Sequence, residues 1–278
     1  MKPIQSILFT TDFSHTANNA LVYAQELAKS VNAKLYILHA CRIPNASTAA
    51  YPAGYYEAVN INELKLEADK KMGQLQHDFL FSPAIEYECI TLMGPASEVI
   101  GEVAEEKQVD LIVMGTRQAD GLLEWLGSVT SDVAEKSTYP LLAIPHNAQF
   151  SIPKKFLLTT TLSKHSSLNS LDQVKELVQL FGAELDVLYI HPHGKEFTPG
   201  QVRFQTALEN FLEDIPHHLH IVAYDDVSEG IQKYVTQNEV DVLTMIPQQH
   251  SFFAQLFRAS KTRHMLFHTH LPLLLVQD

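Results

Sequence analysis

Cysteine is scarce in this chain: Cys41 and Cys89 are the only two in 278 residues. Two cysteines in a chain of this length build no disulfide framework, which fits a reducing compartment. Long apolar runs are also missing. The chain opens Met1-Lys2-Pro3 and enters a short apolar strand at once, without a signal-peptide core, and no run approaches a membrane span. The expectation is a cytoplasmic protein that does not enter membranes. Basic residues are in the minority, with 20 Lys+Arg against 32 Asp+Glu and a net charge of −12. That balance disfavours non-specific binding to DNA, RNA or anionic lipid. There is no G-x-S-x-G elbow, no pair of carboxylates at one strand end and no HExxH sequence. What is present is globular: 46% hydrophobic and 19% charged residues, in a length that allows two domains, each with its own core.

Short apolar runs alternate with helical patterns. Ser6–Phe9 reads as a buried strand, followed by a helix with Ala20, Tyr23, Ala24, Leu27 and Ala28 on one stripe and Ser14 as its N-cap. Leu35–Ala40 is a second strand, and Ile43 to Asn60 reads as a long loop. A charged helix covers Ile61 to Phe79, and Ile85–Ile90 is a third strand. Gly94-Pro95-Ala96 opens a helix to about Glu106. Asp110–Met114 is a fourth strand, a helix follows around Val129–Lys136, and Pro140–Ile144 is a fifth strand. This alternation implies right-handed crossovers and a parallel sheet.

The order then repeats. Phe156–Ser163 (FLLTTTLS) matches Ile7–Ser14 (ILFTTDFS). SEVIGEVAEEKQVDLIVM from Ser97 matches SEGIQKYVTQNEVDVLTM from Ser228, pairing Asp110 with Asp241, and Pro140-Leu141-Leu142 matches Pro272-Leu273-Leu274. Leu188–His191 is aligned with Tyr36–His39, which sets His191 opposite His39. Two domains are therefore expected, 1–147 and 153–278, with a short polar link between them.

In an open parallel α/β sheet, ligands bind outside the carboxyl ends of the strands where strand order reverses. Thr10-Thr11-Asp12 and the loop after the fourth strand point there. Gly127-Ser128-Val129-Thr130 is read as the opening of a helix, where unpaired N–H groups and hydroxyls suit a phosphate. The alternative is that Ser128 simply caps that helix and that Gly115 and Gly127 make turns.

The TTDFS strand end, LHA, GPA, VDLIVMGTR and GSVTSDVAEKSTYPLLAIP together resemble the universal stress protein family, over the whole first repeat and more weakly over the second. The resemblance implies two tandem domains of the adenine-nucleotide-hydrolase-like α/β class. Each would be a five-stranded parallel sheet of order 3-2-1-4-5 with helices on both faces, and the two fifth strands would join the halves. It implies an adenine nucleotide as ligand (ATP, ADP or AMP, with magnesium as an accompanying ion) through the motif G-x2-G-x9-G-(S/T). The residues so implicated are Asp12, Ala40, Gly115, Gly127, Ser128, Val129 and Thr130; Thr10, from its place at the end of the first strand, and Arg117, as a source of a charge-assisted contact or simply a solvated loop residue, complete the candidate set. No catalytic residue is implied, and at most a slow ATPase.

Two departures stand out. Gln118 occupies the second glycine position, and the spacing from Gly115 to Gly127 is one residue short, so that loop must re-form to hold phosphates. In the second repeat Ile246, Gln249 and Ala259 replace all three glycines and Thr161 replaces Asp12, which reads as a degenerate site. The segment there is basic and His-rich instead. Arg258, Ser260, Lys261 and Thr262 form a candidate anion site or acidic-partner surface, while His264 and His268 lack the companions of a zinc site. The leading expectation is a stress-response regulatory module holding nucleotide in its first domain and acting through a protein partner or as a homodimer. The alternative is a nucleotide-free interaction scaffold of the same fold.

Overall fold

The computed structural model describes residues 4–42, 61–79, 85–116, 122–160, 162, 169–246 and 271–277, with backbone alone at 61, 122–128 and 169. Strand β1 (Ser6–Thr10) carries Ile7, Leu8 and Phe9 fully buried. Successive strand side chains point to opposite faces, so such a run requires cover on both sides. Helix α1 (His15–Val31) follows. The Ser14 hydroxyl accepts from the Ala17 N–H at its start, and Asn32 ends it in the left-handed conformation at φ 55. The first half continues through β2 (Lys34–Cys41), α2 (Ile61–Phe79), β3 (Tyr87–Met93), α3 (Ala96–Lys107), β4 (Leu111–Thr116), α4 (Leu122–Lys136) and β5 (Leu141–Pro145). The second half contains β6 (Lys155–Thr160), α5 (Asn169–Phe181), β7 (Glu184–His191), α6 (Pro199–Phe211), β8 (His217–Ala223), α7 (Val227–Gln237), β9 (Val242–Met245) and β10 (Leu273–Leu275).

The strands form one sheet in the order β3-β2-β1-β4-β5-β10-β9-β6-β7-β8. Each half thus has the expected order 3-2-1-4-5, and strands pair in parallel within each half. The halves meet where the resemblance implied, through the fifth strands. β5 and β10 pair antiparallel, with Leu273 opposite Ala143, Leu274 opposite Leu142 and Leu275 opposite Leu141. Leu142 and Leu274 are repeat equivalents facing each other, so a local two-fold relation passes through that pair. One core lies under α1, α2, α5 and α6. The other lies under α3, α4 and α7.

The repeat has a hydrogen-bonding reason at its best-matched residues. Asp110 Oδ2 accepts from the backbone N–H groups of Gln5 at 2.8 Å and Ser6 at 3.1 Å. Asp241 Oδ2 accepts from Lys154 at 2.7 Å and Lys155 at 2.9 Å. Each carboxylate thus satisfies two consecutive amides leading into the central strand of its half.

Four expectations need correction. β3 begins at Tyr87 rather than Ile85, whose side chain is instead buried just before the strand. The link at 146–153 is not simply polar: Ala148 is buried, and Phe150 packs edge-on against Tyr23 at 5.1 Å. Asn19 Nδ2 also donates to the carbonyls of Pro145 and Ala148, which pins the link to α1. His191 is not the equivalent of His39. β1 sets Ile7 beside Leu35, and β6 sets the matching Phe156 beside Leu185. His39 therefore corresponds to Tyr189, Ala40 to Ile190 and Cys41 to His191. Finally, α4 starts at Leu122, five residues before the expected opening at Gly127, because the Leu122-Leu123-Glu124-Trp125-Leu126 run is itself helix-forming. The loop expected over 43–60 lies outside the described residues.

Candidate functional site

At the carboxyl ends of β1, β2 and β4, where strand order turns from one side of β1 to the other, the backbone is held in a defined shape. Phe13 sits in the left-handed region at φ 61, a conformation that non-glycine residues adopt at an energetic cost. Two local bonds hold it there. The Phe13 N–H donates to Thr11 Oγ1 at 2.9 Å, and the Ser14 N–H donates to Asp12 Oδ1 at 2.9 Å. His39 Nδ1 lies 2.8 Å from the Thr11 carbonyl, so that nitrogen carries the proton, and its ring packs on Phe13 with centroids 4.3 Å apart. The second half repeats the turn at Leu162, with φ 49 and an N–H donated to Thr160 Oγ1 at 3.2 Å. The turn therefore belongs to the fold, and what distinguishes the first half is the Asp12 carboxylate placed on it.

This turn forms one wall of a cavity of about 270 Å³. Of the residues singled out in the sequence, the structure brings Thr10, Asp12, Ala40, Gly115, Val129 and Thr130 to its lining. Thr10 ends β1, Ala40 lies near the end of β2, Gly115 near the end of β4, and Val129 and Thr130 lie on α4. Thr130 is buried, whereas Val129 and Asp12 are exposed. Gly127 and Ser128 are on the same helix, but in its interior. Their N–H groups are directed at carbonyls four residues back rather than left open as at a helix start. Arg117 lies outside the described residues, as do Arg258, Ser260, Lys261 and Thr262.

Thr11, pointed to in the sequence together with Thr10 and Asp12, also lines it; Ser14, Thr16, Ala17, Leu38, Ala96, Ile100 and Met114 complete the lining, and sequence reasoning did not single these out as lining residues. Period two along β2 from Ala40 would have found Leu38. Ala96 and Ile100, four apart on α3, would have followed from the Gly94-Pro95 opening. Gly115 has a second role: a Cβ there would lie 3.0 Å from the Thr16 carbonyl oxygen and 3.2 Å from Ala20 Cβ. The missing side chain thus lets α1 pack on the end of β4. Asp12 is the charged residue of the described lining. The Cys89 thiol is remote from this chemistry on β3, and burial pushes its pKa up to about 11, which keeps it protonated.

The second half carries bulk where the first has space. Ile190 stands at the Ala40 position, Val227 at the Ala96 position and Ile246 at the Gly115 position. Ile190 is buried and packs over Gly230 of α7, the equivalent of Val99.

The model of the universal stress protein family matches residues 3–145 of the chain, just over half of it. The chain belongs to the universal stress protein family. Universal stress protein YxiE of Bacillus subtilis is 34% identical over 144 residues, covering 50% of this chain and 97% of its own length. Universal stress protein A homolog 1 of Coxiella burnetii is 30% identical over 141 residues, covering 50% and 94%. The crystal structure of a universal stress protein from Archaeoglobus fulgidus superposes with a TM-score of 0.73 over 98% of both chains at 19% identity. At that identity the likeness is one of fold, and it extends over both halves. Among the described residues no helix is long and apolar enough to cross a membrane.

Proposed function

We propose that residues 1–147 and 153–278 are two universal stress protein domains, and that the first binds one adenine nucleotide per chain while the second is its structural partner. The observation that carries this reading is the cavity at the strand-order reversal, where Asp12, Ala40, Gly115, Val129 and Thr130 come together. Apolar walls with a few convergent hydroxyls and one carboxylate suit a small, partly aromatic ligand. The restriction to one site follows from Ile190, Val227 and Ile246, which put side-chain volume where the first half has Ala40, Ala96 and Gly115. The protein then acts as a stress-response module in the cytoplasm, where its two free thiols persist. It signals through its conformation and a protein partner rather than through turnover.

Freshly purified protein is denatured and the released small molecules are identified, and nucleotide is then titrated calorimetrically. One site per chain is the expected result. Two equivalent sites would reject the assignment of roles to the halves. No binding at millimolar adenosine, AMP, ADP or ATP, with or without magnesium, would leave the nucleotide-free scaffold. Transplanting the second-half residues as Ala40→Ile with Val99→Gly is expected to abolish binding while the chain stays folded by circular dichroism.

A further inference from the structure

We infer that β8 is a self-association edge, on which a second copy of this chain pairs its own β8 antiparallel around a two-fold axis at His220. β8 ends the ten-stranded sheet, and among the described residues its outer side pairs with no strand. The bonds at its two ends fix which groups that side offers. The Leu185 N–H donates to the Pro216 carbonyl at 2.9 Å, and the Tyr224 N–H donates to the His191 carbonyl at 3.1 Å. Leu185 lies opposite His217 and His191 opposite Ala223, so the even-numbered residues of β8 turn their N–H and C=O groups to β7. His217, Leu219, Ile221 and Ala223 turn theirs outward. A free edge of this kind is a template for another strand unless charge, proline or a bulge blunts it. The opposite edge of the sheet, β3, carries Glu88, which pairs with Lys34 at 3.4 Å and Lys107 at 3.2 Å. Its equivalent, β8, reads HHLHIVA, with no Asp, Glu, Lys, Arg or Pro.

The occupant follows from the strand's own pattern. About His220, Leu219 of each copy stands opposite Ile221 of the other, and His217 opposite Ala223, each pair exchanging both N–H···O bonds. Leu219 packs with the core under α6, and Ile221 lies on the same face of the strand. Ile221 is 41% exposed and Val202 of α6 is 50% exposed, so pairing covers apolar surface as well as backbone. On the other face His218 meets Val222 and His220 meets its counterpart, so no pair sets fixed like charges together. That matters in a chain of net charge −12, whose copies repel over most of their surface. The acidic residues flanking the strand are engaged within their own half, Asp214 with Lys175 and Asp226 with the Glu229 N–H. The antiparallel joint between the like strands β5 and β10 already works inside the chain, and β8 repeats it between chains. A strand this short buries less than a standard interface, which makes the dimer weak, with a Kd on the order of 10–100 µM.

The test is sedimentation velocity of the full chain at pH 8, over concentrations from about 1 to about 500 µM. A monomer–dimer equilibrium is the expected result. Ile221→Lys puts a charge on the edge and should weaken the dimer at least about tenfold. Ala223→Pro removes an outward N–H, leaves the ladder to β7 intact and should weaken it in the same way. Leu92→Lys, on the exposed edge of β3, should leave the dimer unchanged. Circular dichroism checks that each variant is folded, and the proline variant stands in if the lysine variant at Ile221 is not. A chain that stays monomeric to about 500 µM would overturn the inference. So would a dimer that both β8 variants leave intact, or one that Leu92→Lys abolishes.

Discussion

Ile190 packs so closely over Gly230 that a Cβ added to the glycine would lie 2.7 Å from the Ile190 Cδ1 atom and 3.1 Å from Cγ1. The first half has the reverse arrangement, with small Ala40 on the strand and Val99 on the helix. The apolar volume at this contact has moved from helix to strand, and the strand end that opens into a cavity in the first half is filled in the second.

The exchange predicts a strong coupling. Ile190→Ala should destabilise by about 2–5 kcal/mol through lost burial and a residual cavity. Gly230→Val should cost about 1–3 kcal/mol by overpacking. The double variant recreates the Ala40–Val99 pair, so it should be more stable than the sum of the two by about 1 kcal/mol or more. Denaturant midpoints of the four proteins measure this directly, and additive effects would mean the two positions do not share one space.

Much of this fold was legible because its central strands are buried on both faces and so appear as short apolar runs between turn residues. The two halves match residue by residue at Asp110 and Asp241 because each carboxylate has the same pair of amides to satisfy. The alignment of His191 with His39 failed for a specific reason. A shift of two residues along a strand keeps every side chain on its face, so the apolar pattern of β7 cannot tell the right register from the wrong one. Only the pairing of Phe156 with Leu185 decides it. The start of α4 was illegible for a related reason. Gly127 offers a helix opening in sequence, but the helix-forming run Leu122–Leu126 before it carries the helix further back. Of the site, Thr10, Asp12, Ala40 and Gly115 were legible as strand-end residues. Ile100 and Met114 look like ordinary core residues in sequence and become cavity wall only through packing.

Asp110→Ala and Asp241→Ala should each cost about 1.5–3 kcal/mol, since each removes hydrogen bonds to a charged acceptor and leaves two backbone donors to find others. The two sites serve different halves, so the losses are expected to add. Chemical denaturation of the single and double variants tests this. A loss below about 0.5 kcal/mol for either would mean that water replaces the carboxylate at little cost.

Gly115→Ala should destabilise by about 1–3 kcal/mol, because the added methyl meets the Thr16 carbonyl oxygen and the backbone of α1 rather than a flexible side-chain tip. Thermal unfolding measures the effect. An unchanged midpoint would show that α1 can move away from β4 freely, and the close packing assigned to Gly115 would be wrong.

The last prediction concerns alkaline stability and rests on Asp186, a side chain of β7 that is 2% exposed. It accepts from the Tyr234 hydroxyl at 2.9 Å, with His220 Nε2 at 3.2 Å and Lys155 Nζ at 3.6 Å. The first half has Tyr36 at the equivalent position, with Lys34 and Lys107 over its ring, so this polar cluster is particular to the second half. Burial raises the Tyr234 pKa first, helped by the hydrogen bond to Asp186 and by the negative charge of Asp186 and Glu184. Lys155 is raised by its hydrogen bond to Glu184 and by the charge of Asp186 and Glu184, against a smaller opposing effect of burial. Both groups therefore hold their protons more tightly in the folded chain than in the unfolded one. Their contribution is complete below the ordinary values of 10.0 and 10.5 and is lost as pH rises through the raised ones. Stability should accordingly begin to fall near pH 9, where the raised Cys89 thiol starts to contribute, and fall more steeply above about pH 10 as these two groups join it. Tyr234→Phe should cost about 1–3 kcal/mol at pH 8, where Asp186 loses a buried partner. It should also flatten the fall above pH 10, because one of the two linked protons is gone. Tyr23 is likewise raised by burial, but it is present in both proteins, so the difference between the two urea-midpoint curves isolates Tyr234. Curves that run parallel from pH 8 to 11 would show that the Tyr234 proton is not linked to folding.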